Sequence, residues 1–136
     1  MQETKCNQFG QIKLDGYFTY EHLRSKKKGG GVALSARKEL QPAFKGDGGD
    51  KAEALTLDIH IKNKIISVVS AYGPQESAKA ETKEIFWQYL TEEVQKANSY
   101  WKGFVLQGDL NAWLENKLLP GDINKQNRNE KYLKCF

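Results

Sequence analysis

The sequence predicts an α/β fold, a layered sandwich with mixed, mainly antiparallel sheets, on three observations. Strand-like runs cluster before residue 73, the apolar period becomes helical between residues 77 and 99, and a bulky run, Phe104-Val105-Leu106, follows that helix. Strands in hairpins first and a helix between later strands favour packed layers over an all-β barrel. With 136 residues, 39% of them hydrophobic, and 12 glycines, one domain can bury a core.

Taken in order, GYFTYEHL (16–23) is an aromatic-rich strand, and KKKGGGVALSAR (26–37) a glycine turn leading into a strand over 32–35. KGDGGDK (45–51) reads as a loop within the domain. In EALTLDIHI, Leu55, Leu57, Ile59 and Ile61 fall on one face and Ala54, Thr56, Asp58 and His60 on the other, the pattern of a half-buried strand. KNK (62–64) turns the chain back, and IISVVSAY (65–72) is apolar enough for a sheet interior, so the pair forms a hairpin that halts at Gly73-Pro74. From Ser77 to Ser99, Phe86, Leu90, Val94 and Ala97 make one stripe with Glu84, Glu92, Glu93 and Lys96 off it, a helix that covers a sheet face. Phe104, Val105 and Leu106, bounded by Gly103 and Gly108, read as a strand covered on both faces. NRNEKYLKCF (127–136) begins another helix.

The net charge of +4 and pI near 9.0 are mildly suggestive of a polyanionic partner. Residues 1–51 hold 10 of the 21 basic and 6 of the 17 acidic side chains, leaving 11 and 11 for the remainder, so the excess lies in the first part. There Arg24, Lys26, Lys27, Lys28, Arg37 and Lys38 follow one another with no acid between them, either a solvated face or a phosphate-contacting one. No stretch reads as a transmembrane span or as a signal peptide, so an intracellular protein without a membrane partner is expected. Cys6 and Cys135 have no metal-ligand spacing and read as free thiols.

FVLQGDLNAW (104–113) puts an acid and an amide two positions apart where the apolar run ends. In an extended chain Asp109 and Asn111 would share a face, although Gly, Asp and Asn equally favour a turn. QETK (2–5) and YGP (72–74) are further polar features at the ends of predicted strands. A QE motif, a glycine-preceded strand (GGGVAL), a Tyr-x-Pro strand end and Gly-Asp-x-Asn occur here in that order over nearly the whole chain. In this the sequence resembles the endonuclease/exonuclease/phosphatase superfamily, and most of all the endonuclease domains of non-LTR, LINE-like retrotransposons.

The resemblance implies a DNase I-like arrangement of which residues 1–136 are a single incomplete domain, truncated at both ends. It implies that Glu3 binds a catalytic Mg²⁺ or Mn²⁺, ions that prefer hard oxygen donors. It makes Tyr72 a hydrogen-bonding partner of the scissile phosphate or the attacking water. It makes Asp109 the group that orients and deprotonates that water, and Asn111 the amide that holds water or phosphate. Read without it, Glu3 is a surface glutamate and Tyr72 an aromatic capping a strand before a turn. Leu110 should point back into the core. Arg24, Lys26, Lys27 and Lys28 are the expected nucleic-acid contacts, and Asn127 or Asn129 lies in an asparagine-rich loop leading to a helix, where capping is the plainer role. In the family a strand ending in Asn precedes the QE motif and an Asp-His pair follows GDLN. His22 and His60 both lie before GDLN and read as surface or sheet histidines instead. An internal fragment should leave apolar faces and strand edges open and turn over little substrate unaided.

The implied function is a divalent-metal-dependent phosphodiesterase that nicks DNA to prime reverse transcription. DNA is then the partner, a reverse transcriptase domain belongs to the same parent polypeptide, and the location is nuclear. A phosphatase or phosphodiesterase of small molecules in the same superfamily would differ only in its groove, and a non-catalytic DNA-binding remnant is the rival from another class. Nucleotide binding through the GGG turn is disfavoured, because the stretch lacks GxxxxGK[ST] and does not open a helix.

Overall fold

The computed structural model describes residues 1, 12–24 and 30–112. Along them run β1 (Tyr17–His22), β2 (Val32–Arg37), a 3-10 turn (Lys38–Leu40), β3 (Ala43–Asp47), β4 (Glu53–Ile61), β5 (Lys64–Tyr72), α1 (Ala80–Ser99) and β6 (Gly103–Asp109). β1 and β2 pair antiparallel, and the other four strands form a mixed sheet in the order β3-β4-β5-β6. β5 and β6 are parallel, a pairing that requires a long crossover, and α1 is that crossover. The fold is therefore α/β with a mixed sheet. Among the described residues no helix is long and apolar enough to cross a membrane.

Two apolar layers flank the four-stranded sheet. Phe86, Trp87, Tyr89 and Leu90 of α1 pack on Ala54, Val69 and Ala71, while Val32, Leu34 and Ala36 of β2 pack on Leu55 and Leu57. The two-residue alternation of β4 thus serves two cores. Residues 54–58 are buried without interruption, so β4 is not the half-buried strand its alternation predicts; each of its faces has a covering layer.

β6 departs in the other direction. Phe104 and Leu106 pack towards α1, but Val105 is 44% exposed. The strand is the last of the described sheet, and β2 lies over β4 and β5, so one face of β6 has no described cover. KGDGGDK is also only partly a loop, since β3 extends to Asp47. A register shift between Phe44 and Gly46 breaks the alternation by which that strand would have been found.

The helix begins at Ala80 and buries Phe86, Leu90 and Ala97 of the expected stripe, with Val94 half-buried. Glu93 is not off it: its side chain is 10% exposed and accepts a 2.7 Å hydrogen bond from Thr56 Oγ1. At the C-terminus Lys102 N–H bonds Ala97 O at 3.0 Å while Trp101 takes a left-handed φ of 55°, a position glycine usually fills.

The centre of β4 carries a buried acid. Asp58 accepts hydrogen bonds from Ser67 Oγ at 2.6 Å and Lys102 Nζ at 2.5 Å, with Lys45 Nζ 3.9 Å away. Burial by itself raises its carboxyl, but the Lys102 and Ser67 hydrogen bonds and the two lysine charges outweigh burial and hold it below the usual carboxylate value. A carboxyl lowered in the folded state stabilises fully above the unfolded value of about 4, and that contribution disappears as pH falls through the lowered value. Asp58→Asn, which leaves the Lys102 ammonium without its anion, should cost about 3 kcal/mol at neutral pH. In urea titrations between pH 7 and 2 it should also flatten the acid limb of the stability curve.

Candidate active site

Tyr72 and Asp109 end the two parallel strands and are register partners. Glu53, the first residue of β4, is the register partner of Tyr72 on its other side. The three form one row across adjacent strands, about 5 Å per step. The carboxyl ends of neighbouring parallel strands are where open α/β sheets bind ligands.

Beyond this row the YGP and GDLN segments interlock. Gly73 N–H donates to Asp109 O at 2.7 Å, and Asn111 Nδ2 returns a 2.7 Å hydrogen bond to Gly73 O. Asn111 N–H donates to Asp109 Oδ1 at 2.9 Å. Both motif glycines are dictated by this closeness. A Cβ on Gly73 would lie 2.9 Å from Leu110 Cα and nearer still to its carbonyl, while Gly108 combines a φ of 141° with a Cβ position that overlaps Ala71 O.

The chain does not stay extended from Asp109 to Asn111. Asn111 has a φ of 48°, and its N–H closes a turn on the Asp109 carboxylate, so strand alternation does not set the two side chains side by side. Asn is among the few residues that tolerate this conformation. The turn and the site are the same structure: Asp109 is exposed at the strand end, and Asn111 ties that end to Gly73. Leu110 packs into the core under α1 as expected. Asn111→Gly, which keeps the backbone but loses the bond to Gly73 O, should cost about 1 kcal/mol. Asn111→Ala, with the left-handed penalty added, should cost about 2 kcal/mol, and urea melts of the two variants separate these contributions.

Two site-supporting residues were not singled out from the sequence. Glu53 shares the strand face of Leu55 and Leu57, and a carboxylate in line with buried leucines was the signal. It forms an ion pair with Arg24 and accepts the Gly31 N–H at 3.2 Å. Lys83 stands three residues before Phe86 on the apolar stripe of α1, and its side chain is only 1% exposed. Its Nζ donates to Glu76 O at 2.6 Å and lies 3.3 Å from Glu76 Oε2, which props the loop that leaves Gly73.

Arg24 is the one expected nucleic-acid contact within the described residues; Lys26, Lys27 and Lys28 lie outside them, as do Glu3, Asn127 and Asn129. The run of bases is not one patch. His22 pairs with Val32 at the end of β1 and β2 that carries Arg24, whereas Arg37 pairs with Tyr17 at the opposite end. There Arg37 and Lys38 lie over the Tyr17 and Phe18 rings at 6.0 and 5.5 Å. His22 is a buried sheet histidine with Nδ1 3.2 Å from Asp47 Oδ2. Met1 exchanges two hydrogen bonds with Ala33, at 2.7 and 2.8 Å, so the chain starts alongside β2.

The chain matches no family model and no curated protein. Among the described residues no three His, Cys, Asp or Glu side chains gather to hold a metal ion. The donors at this strand end are hard oxygens: the Asp109 carboxylate, the Asn111 carboxamide and the Tyr72 phenol. They suit Mg²⁺ or Mn²⁺, for Mg²⁺ usually takes one or two carboxylates and fills the rest of its shell with water and substrate phosphate.

Proposed function

We propose that the strand end of Tyr72, Gly73, Asp109 and Asn111 belongs to a DNase I-like, divalent-metal-dependent endonuclease that nicks DNA, of the kind carried by non-LTR retrotransposons beside a reverse transcriptase. The observation that carries this reading is the register pairing of Tyr72 with Asp109, with YGP and GDLN locked together by two 2.7 Å hydrogen bonds. Segments far apart in the chain, singled out for their polar strand ends, meet at one place.

A phosphodiester anion repels a nucleophile, so hydrolysis needs a base for the attacking water and positive charge at the non-bridging oxygens. Asp109 supplies the base. One of its oxygens is held by the Asn111 N–H, which fixes the carboxylate plane, and the proton of the attacking water passes to the other. Tyr72 donates its phenolic hydrogen bond to the phosphate. Asn111 positions Asp109 and the Gly73 turn. A bound Mg²⁺ or Mn²⁺, with Glu3 as its protein ligand, would supply Lewis-acid charge at the phosphate oxygens.

Supercoiled-plasmid nicking tests the proposal. Open-circle product that requires Mg²⁺ and disappears with EDTA is expected. Intact plasmid, together with phosphate release from soluble esters, would replace this reading with the small-molecule hydrolase; intact plasmid with DNA still bound would replace it with the non-catalytic remnant.

A further inference from the structure

We infer that Arg24 is a built phosphate-binding group of this site, oriented by Glu53 and by the glycine turn before β2, and that Glu53 is its positioning residue. The inference rests on the phosphodiester reading of the Tyr72–Asp109 strand end and names the group that grips the nucleic-acid backbone beside it.

Glu53 stands one strand spacing from Tyr72 in the row, so the group that Glu53 holds lies at the same end of the sheet as the proposed scissile phosphate. It holds Arg24: the guanidinium Nε and Nη2 both meet Glu53 Oε1. The other carboxylate oxygen takes the Gly31 N–H. Both oxygens of Glu53 are thus occupied, and the carboxylate cannot swing. On its remaining side the guanidinium lies against Gly30, where a Cβ would come within 2.8 Å of Arg24 Cζ. Gly30 and Gly31 have φ values of 85° and 93°, a backbone open to glycine and strained for other residues.

The pair is asymmetric in exposure. The Glu53 side chain is 19% exposed and that of Arg24 31%, so the anion sits deeper and the cation faces outward. A guanidinium carries five donors in a rigid fork. With one edge fixed on a carboxylate, the outward edge is pre-organised for the planar, two-point recognition of a phosphate that arginine makes and lysine does not. Arg37 and Lys38, at the other end of β1 and β2, rest on the Tyr17 and Phe18 rings, Arg37 Nε donating to the Tyr17 hydroxyl at 3.3 Å. The ligand class is the non-bridging oxygens of a nucleic-acid phosphate flanking the one at Tyr72.

The test is binding of a fluorescein-labelled DNA duplex to the full chain by anisotropy across a salt series with Mg²⁺ present, alongside plasmid nicking. Arg24→Ala should weaken binding about tenfold and lower the slope of log affinity against log salt by about one, the mark of one lost phosphate contact. Arg24→Lys should restore the slope but not the full affinity. Glu53→Gln should weaken binding severalfold with the slope unchanged, because the charge remains and its orientation is lost. Thermal melts establish that each variant is folded, and if Arg24→Ala is not, Arg24→Lys against Glu53→Gln carries the comparison. Nicking and binding indifferent to Arg24 would overturn the inference and leave the endonuclease reading standing. Arg24-dependent binding without nicking would do the reverse, and an unchanged salt slope in Arg24→Ala would reduce the pair to a structural ion pair.

Discussion

Gly108→Ala is expected to cost about 4 kcal/mol, enough to unfold much of the population of a marginally stable domain. A Cβ at this position overlaps Ala71 O, and the φ of 141° is one that side-chain-bearing residues rarely adopt. Relief requires the end of β6 to move away from β5. That movement parts Asp109 from Tyr72 and breaks the Gly73–Asp109 hydrogen bond. The same glycine therefore serves stability and site geometry. Urea unfolding followed by circular dichroism gives the magnitude.

Asp109→Asn should lower plasmid nicking by about 10²- to 10⁴-fold, the usual contribution of a general base, without lowering the melting temperature. The amide keeps an oxygen where Asp109 Oδ1 accepts the Asn111 N–H at 2.9 Å, so the turn survives and only the proton acceptor is lost. The contrast with Gly108→Ala separates chemistry from architecture: one variant folds and fails to cut, the other fails to fold. A variant D109N that nicks at the native rate would remove Asp109 from the chemistry. Tyr72→Phe, by comparison, should lose less, since one neutral hydrogen bond is removed and the ring packing on the β2 side of the sheet remains.

The elements with strong periods were legible in the sequence. β4, β5, α1 and β6 fall where the alternation of EALTLDIHI, the apolar runs IISVVSAY and Phe104–Leu106, and the Phe86–Ala97 stripe put them. What the sequence hid has physical causes. The bulge between Phe44 and Gly46 erased the signature of β3. The layers on both faces of β4 left its alternation looking half-exposed. Nothing local to Phe104–Leu106 showed that β6 would end the described sheet with Val105 uncovered. At the site, the polar strand ends were visible as motifs, but their meeting depends on the parallel register of β5 and β6, a long-range property. Asn111 was expected to present its amide outward; its Nδ2 turns to Gly73 O because the chain leaves the strand at Asp109. Glu53 and Lys83 are hidden for one reason: each is a charged residue on an apolar face, where hydrophobic periodicity carries no signal for a charge.

The most direct measurement is a Mn²⁺ titration of the ¹⁵N-labelled chain, read as paramagnetic broadening of individual amide resonances. The amides of Tyr72, Gly73, Asp109 and Leu110 should broaden first and together, and Glu3→Gln should abolish the effect. Broadening centred on another acidic region, such as Asp47–Asp50 or Glu92–Glu93, with the Tyr72 and Asp109 signals intact, would contradict this reading.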